Sequence, residues 1–254
     1  MTPQAEMSGA GAAVARQMLR LSNPEDVAEQ AAQWLLAVAL GTEGPFVLCL
    51  SGGETPRPLY QRLAAPPYRA AFPWERTHVF WGDERFVPHD DPRSNFRMAR
   101  DTLLSRAPLP SQNIHPVPSA ASARAAAIAY QRELALFYGS EILTRARPLF
   151  DVTLLGLGAD GHMGSLFPGD EALCQREGWT AAVVGPDGLE RVALTYPALD
   201  NSRRIAFLVT GAQKSAALAR LMRGDRALPA TYLRPAGEIR LFVDAAAAQE
   251  LETL

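Results

Sequence analysis

Cysteine is scarce: two residues in a chain of 254 cannot build a disulfide framework. Cys49 lies in an apolar run and Cys174 in a loop-like stretch without Cys-x-x-Cys spacing, so both read as reduced thiols. Histidine is almost as rare. His78, His89, His115 and His162 lack the paired spacing of common metal ligands, so no metal is expected. An excess of one charge is also missing, with 25 Lys and Arg against 27 Asp and Glu. No broad positive field is then available to hold a nucleic acid. The longest apolar run, 31–40, is broken by Gln33 and falls far short of the roughly 20 residues of a membrane helix. Residues 1–15 carry Glu6 and no basic start before an apolar stretch, so they do not read as a secretory signal. The expectation is a cytoplasmic protein with neither a nucleic acid nor a membrane as partner.

What is present is enough apolar material, 48% of the chain with 20% charged, for one sizeable core. Short β-rich runs at 46–50, 78–81, 152–155, 181–184, 205–209 and 239–243 alternate with helical patterns. They are too apolar for a half-exposed sheet. The expected fold is therefore α/β, doubly wound, with helices on both faces of a mainly parallel sheet, in a single domain over 1–254. Helices are expected at 24–39 after an Asn23 cap, at 56–64 after Thr55, at 122–138 before Gly139, at 211–223 and at 245–254. The Pro-rich stretches 64–73 and 107–118 read as connections between sheet elements.

Three segments carry candidate chemistry. The turn Leu50-Ser51-Gly52-Gly53-Glu54-Thr55-Pro56 follows a strand and opens a helix. Amides of Gly52 and Gly53 would suit an anion there, although an ordinary strand-to-helix turn has the same composition. No Gly-Lys-Ser/Thr follows, so it is not a nucleotide P-loop. Trp81-Gly82-Asp83-Glu84-Arg85 follows the next strand, with Ser94 and Asn95 entering the next helix, and reads either as part of a ligand crevice or as a surface ion-pair cluster. The third, Gly156 through Pro168, spells Gly-x-Gly-x-x-Gly, yet Gly164 and Pro168 follow too soon for the helix a dinucleotide site needs. It leaves an imidazole, His162, beside a carboxylate, Asp160, suited to moving a proton near neutral pH. A merely structural histidine is the alternative. Arg191 and Lys214 add two cations, and Lys214 in a first helical turn asks for an anion nearby. No Gly-x-Ser-x-Gly elbow occurs, so a nucleophilic serine is not expected.

In chain order, Ser51-Gly52-Gly53, Gly82-Asp83-Glu84-Arg85, Asp160-Gly161-His162 through Ser165-Leu166-Phe167-Pro168, Arg191 and Lys214 resemble the 6-phosphogluconolactonases of the glucosamine-6-phosphate isomerase/6-phosphogluconolactonase family. The similarity runs from about Phe46 to the last helical segment, and the Asp-Gly-His-x-x-Ser-Leu-Phe-Pro string is its specific part. The resemblance implies hydrolysis of a small phosphorylated sugar lactone without cofactor or metal, by a monomer or small homo-oligomer. It implies His162 as general base and Asp160 as its orienting group. Gly52, Gly53, Arg191 and Lys214 would hold phosphate, with Asp83 and Arg85 lining the sugar. The related deaminases carry a glutamate where this chain has Phe167. Two departures stand out: Met163 where lactonases usually carry threonine, and Glu54 where serine is usual. An isomerase or deaminase and a non-catalytic sugar-phosphate sensor remain open.

Overall fold

The computed structural model describes residues 16–251, so the expectation for 1–15 lies outside the described residues. Nine strands are found among them: β1 Arg16–Leu21, β2 Phe46–Leu50, β3 Thr77–Trp81, β4 Asp83–Arg85, β5 Phe150–Gly156, β6 Thr180–Val184, β7 Glu190–Leu194, β8 Ser202–Val209 and β9 Glu238–Asp244. Helices α1 Pro24–Gly41, α2 Arg57–Leu63, α3 Tyr68–Ala71, α4 Asn95–Ala99, α5 Ala123–Tyr138, α6 Tyr196–Asp200 and α7 Ser215–Met222 connect them.

Six strands form a parallel sheet in the order β1-β9-β8-β5-β2-β3. The chain moves from β2 toward β3 on one side and from β5 toward β8 on the other. Right-handed crossovers in opposite directions put helices on opposite faces, which is the doubly wound arrangement. Sequence composition explains why these strands sit inside: all five residues of β2 are buried, as are the last five of β8. Trp34 of α1 packs on Phe242 of β9 with ring centroids 5.7 Å apart. From α5, the Tyr130 hydroxyl accepts from Trp81 N at 2.8 Å and donates to Trp81 O at 2.9 Å, tying the helix to the end of β3.

Several expectations need correction. The run at 181–184 belongs not to the main sheet but to a second, antiparallel sheet, β4-β7-β6. β4, Asp83-Glu84-Arg85, is a strand not placed from the sequence; three charged residues form it because β7 supplies the backbone partners. β1, with the half-exposed sequence RQMLRL, lies on the sheet margin against β9 and lacks a buried strand's apolar run. Thr55 does not cap α2, whose cap position is Pro56 without a side-chain bond. The 211–223 segment begins as a 3-10 turn, Ala212–Lys214, before α7. From 245 the described part forms turns and a 3-10 piece, Gln249–Leu251, not an α-helix. The Asn23 cap, accepting from Asp26 N at 2.8 Å, and the stop of α5 at Gly139, φ 73, are as expected, and Ser122 caps α5 by accepting from Ala125 N at 3.2 Å.

Candidate active site

The sheet's topology decides where chemistry can gather. β2 and β5 are neighbours whose following strands lie on opposite sides, so their carboxyl ends open a crevice. The Gly52–Gly53 turn leaves β2, and the loop holding Asp160 and His162 leaves β5. Asp83 follows β3, and Lys214 follows β8 on the same margin.

The β5 loop is pinned by burial. Met163 and Leu166 bridge each other through both backbone hydrogen bonds and are 0% and 1% exposed. Met163, the unusual residue here, thus anchors the loop by its apolar side chain. Between those anchors and β5, Gly158 N donates to His162 O at 2.7 Å and Gly161, at φ 92, closes the turn. The imidazole stays outward with its side chain 33% exposed. Its Nδ1 lies 2.6 Å from Asp160 Oδ1, which also accepts from His162 N at 3.1 Å. Burial alone would raise Asp160, but the His162 amide and ring outweigh it and hold the carboxyl below its usual range. The close pair requires Gly158: a Cβ there would stand 2.1 Å from His162 Nδ1. No helix follows at the third glycine, so the dinucleotide motif is absent in three dimensions.

Phe167 joins the histidine to a cation. Its ring lies 4.9 Å from the His162 ring, and the Arg191 guanidinium lies 5.3 Å from its centroid. Arg191 is buried, pairs through Nη2 with Asp187 at 2.7 Å, and its buried Nε has no hydrogen-bond partner. Arg85 is its direct cross-strand partner in β4. Arg85 Nη1 donates to Arg93 O at 2.6 Å, and its Nε is likewise buried and unpaired. Two cross-strand arginines thus each keep a buried N–H donor without a partner. Desolvation pulls Lys214 below the usual lysine range, while the Asp160 carboxylate opposes that shift.

Glu84 is neither a surface charge nor a free acid. It accepts from Arg85 N, Asn95 N, Phe96 N and Ser94 Oγ at 2.7–3.0 Å, so it caps the start of α4 from inside. Burial still leaves its carboxyl above the usual range despite those four donors. Asp83 is buried too, with its carboxylate accepting from Ser165 Oγ at 2.5 Å. Glu54, beside the glycine turn, pairs with Arg57 at 2.9 Å, which offsets its charge. The reading of the sequence missed Phe167 as the shared ring and Asp187 as the partner of Arg191. The Pro-Asp-Gly turn at 186–188, four residues before Arg191, was the available signal for the second.

Among the described residues no group of three or more His, Cys, Asp or Glu side chains is placed to hold a metal ion. None of their helices is long and apolar enough to cross a membrane. A groove of about 1130 Å³ between α5 and β6 contains none of these candidates.

The fold and this cluster of loops define a class of α/β proteins, and sequence comparison names it. A family profile described as glucosamine-6-phosphate isomerases/6-phosphogluconolactonase matches residues 22–241, and the chain belongs to that family. Within the family, the chain is 41% identical to a 6-phosphogluconolactonase of Nostoc sp. over 220 residues, covering 85% of this chain and 89% of that one. It is 42% identical to the 6-phosphogluconolactonase of Synechocystis sp. over 217 residues, or 84% and 88% of the two chains. The crystal structure of a 6-phosphogluconolactonase from Thermotoga maritima superimposes with a TM-score of 0.77 at 30% identity, over 90% of this chain and 99% of that one.

Proposed function

We propose that this chain hydrolyses 6-phospho-D-glucono-1,5-lactone to 6-phospho-D-gluconate in the oxidative pentose phosphate pathway, with His162 as general base. One domain carries the reaction. A charged sugar phosphate does not cross a membrane unaided, so we place the enzyme in the cytoplasm. The observation that carries the reading is the Asp160-oriented imidazole at the β2/β5 crevice, sharing the Phe167 ring with Arg191.

Asp160 accepts Nδ1–H, which leaves the Nε2 lone pair for a water molecule. His162 takes a proton from that water as its oxygen bonds to C1 of the lactone. The carbonyl electrons move onto oxygen, and Arg85 favours the charge that develops. When the intermediate collapses, the bond from C1 to the ring oxygen breaks and His162 returns the proton to that oxygen. One water is added in sum, and no cofactor is used. Arg191 through its unpaired Nε, Lys214, and the amides of Gly52 and Gly53 hold the phosphate and so fix the distant carbonyl against the base. Phe167 offers no carboxylate to assist the ring opening of an amino sugar, which disfavours the deaminase reading.

The test is base-uptake kinetics on freshly prepared lactone with the spontaneous rate subtracted. His162→Ala is expected to lower kcat by roughly 100-fold or more with the fold retained. Normal turnover by that variant removes the base. A wild-type protein that binds 6-phosphogluconate without accelerating lactone loss is a sensor.

A further inference from the structure

We propose that Asn95, Asp83 and Ser165 form a positioning strut that sets the separation between the Gly52–Gly53 turn and His162, and so favours phosphorylated lactones over unphosphorylated ones. The inference rests on the phosphate-binding role given above to that turn. It replaces the sugar contact expected of Asp83 with a role exerted through the loop of the base.

The strut is continuous and buried. Asn95 is 1% exposed and its amide lies against the Gly52 backbone: a Cβ on Gly52 would fall 1.9 Å from Asn95 Oδ1. Only glycine admits that approach. Asn95 Nδ2 donates to Asp83 O at 2.9 Å. The Asp83 carboxylate accepts from Ser165, which is 0% exposed and lies three residues past His162. Gly164, at φ 53, runs against the same carboxylate with Asp83 Oδ1 3.9 Å from its Cβ position. On its other side the glycine turn is held by Tyr60, whose hydroxyl accepts from Ser51 N at 2.9 Å and donates to Ser51 O at 2.7 Å.

Stability alone does not account for this arrangement. Asn95 Oδ1 is buried with no hydrogen-bond partner, a cost that an apolar residue would avoid. What the amide supplies is a rigid link from the turn to Asp83. Behind it, Glu84 fixes the Asn95 backbone by accepting Asn95 N at 2.7 Å, so the strut cannot slide along α4. The β2 turn and the β5 loop leave adjacent strands, which pair at Leu48–Val152 and Cys49–Thr153. A substrate gripped at its phosphate reaches the base correctly only if the two ends of the site stay at a constant spacing, and misplacement by about 1 Å costs on the order of 100-fold. A lactone without phosphate does not use the turn and is indifferent to that spacing.

The experiment measures kcat and KM of Ser165→Ala, Asn95→Ser and the double variant on 6-phosphogluconolactone and on glucono-1,5-lactone, with urea midpoints as a check on folding. Ser165→Ala removes one buried hydroxyl and keeps the fold testable if Asn95→Ser does not fold. We expect kcat/KM on the phosphorylated lactone to fall about 10-fold or more, with a loss under about 3-fold on the unphosphorylated one. The double variant is expected to be little worse than the worse single variant, as for members of one unit. Equal losses on both substrates, additive losses in the double variant, or no loss on either substrate overturn the strut. His162→Ala on the same two substrates tests the functional reading separately: if it leaves both rates intact, that reading fails whatever the strut variants do.

Discussion

Replacing Gly158 by alanine separates the Asp160–His162 pair without removing any proposed functional group. An alanine Cβ would stand 2.1 Å from His162 Nδ1, 2.4 Å from His162 Cε1 and 2.4 Å from Asp160 Oδ1. Ordinary contact begins near 3.4 Å, so the imidazole must retreat by about 1.3 Å, the difference between 3.4 and 2.1. A displacement of that size costs on the order of 100-fold in rate, or about 2.7 kcal/mol of barrier. Folding is affected far less. Gly158 has no positive φ to lose, and the displaced side chains, 33% and 50% exposed, can swing into water. The pair is a part-exposed one, so its loss is expected to cost under about 1 kcal/mol. The assay is lactone hydrolysis at saturating substrate beside a urea titration of the same preparation. KM should change little, because the groups proposed to grip phosphate are untouched. Full turnover by Gly158→Ala would refute the orienting role of Asp160, and a parallel collapse of stability would refute the claim that the clash is local.

Two further predictions follow from burial. Desolvation holds Asp200 at about 6 against an ordinary 3.8, even though its carboxylate accepts Arg234 N at 2.6 Å. The unfolded chain then ionises first, so stability is full below pH 3.8 and falls as the pH rises through about 6, by roughly 2–3 kcal/mol in total. Asp200→Asn should remove that slope and exceed the wild type at pH 7.5; an identical stability difference at pH 4 and pH 7.5 would contradict the assignment. For the thiols, burial pushes Cys49 well above the usual cysteine range, while Cys174 is exposed. A thiol reagent should titrate one group in the native protein and the second only after unfolding, and two fast thiols would show that β2 is not sealed.

The amino-acid order alone determined whatever depends on neighbours along the chain. Asn23, Ser122 and Gly139 bound their helices by local hydrogen bonds and a left-handed turn, so α1 and α5 were legible. The apolar runs of β2, β3, β5, β8 and β9 announced a buried parallel sheet. The motif strings marked Asp160 and His162, which lie two residues apart and meet through a short loop. Tertiary structure decided what depends on residues distant in sequence. β4 is a strand only because β7 offers it a ladder, and that pairing sets Arg85 opposite Arg191. Ser165 reaches Asp83 across 82 residues, and Asn95 fills the space that Gly52 leaves empty. Glycine in a sequence announces a turn, but which side chain needs the missing Cβ is known only when the sheet has packed. The reason is one of range: caps and periodicity act within a few residues, whereas the spacing between the Gly52–Gly53 turn and His162 is set by strand order and core packing.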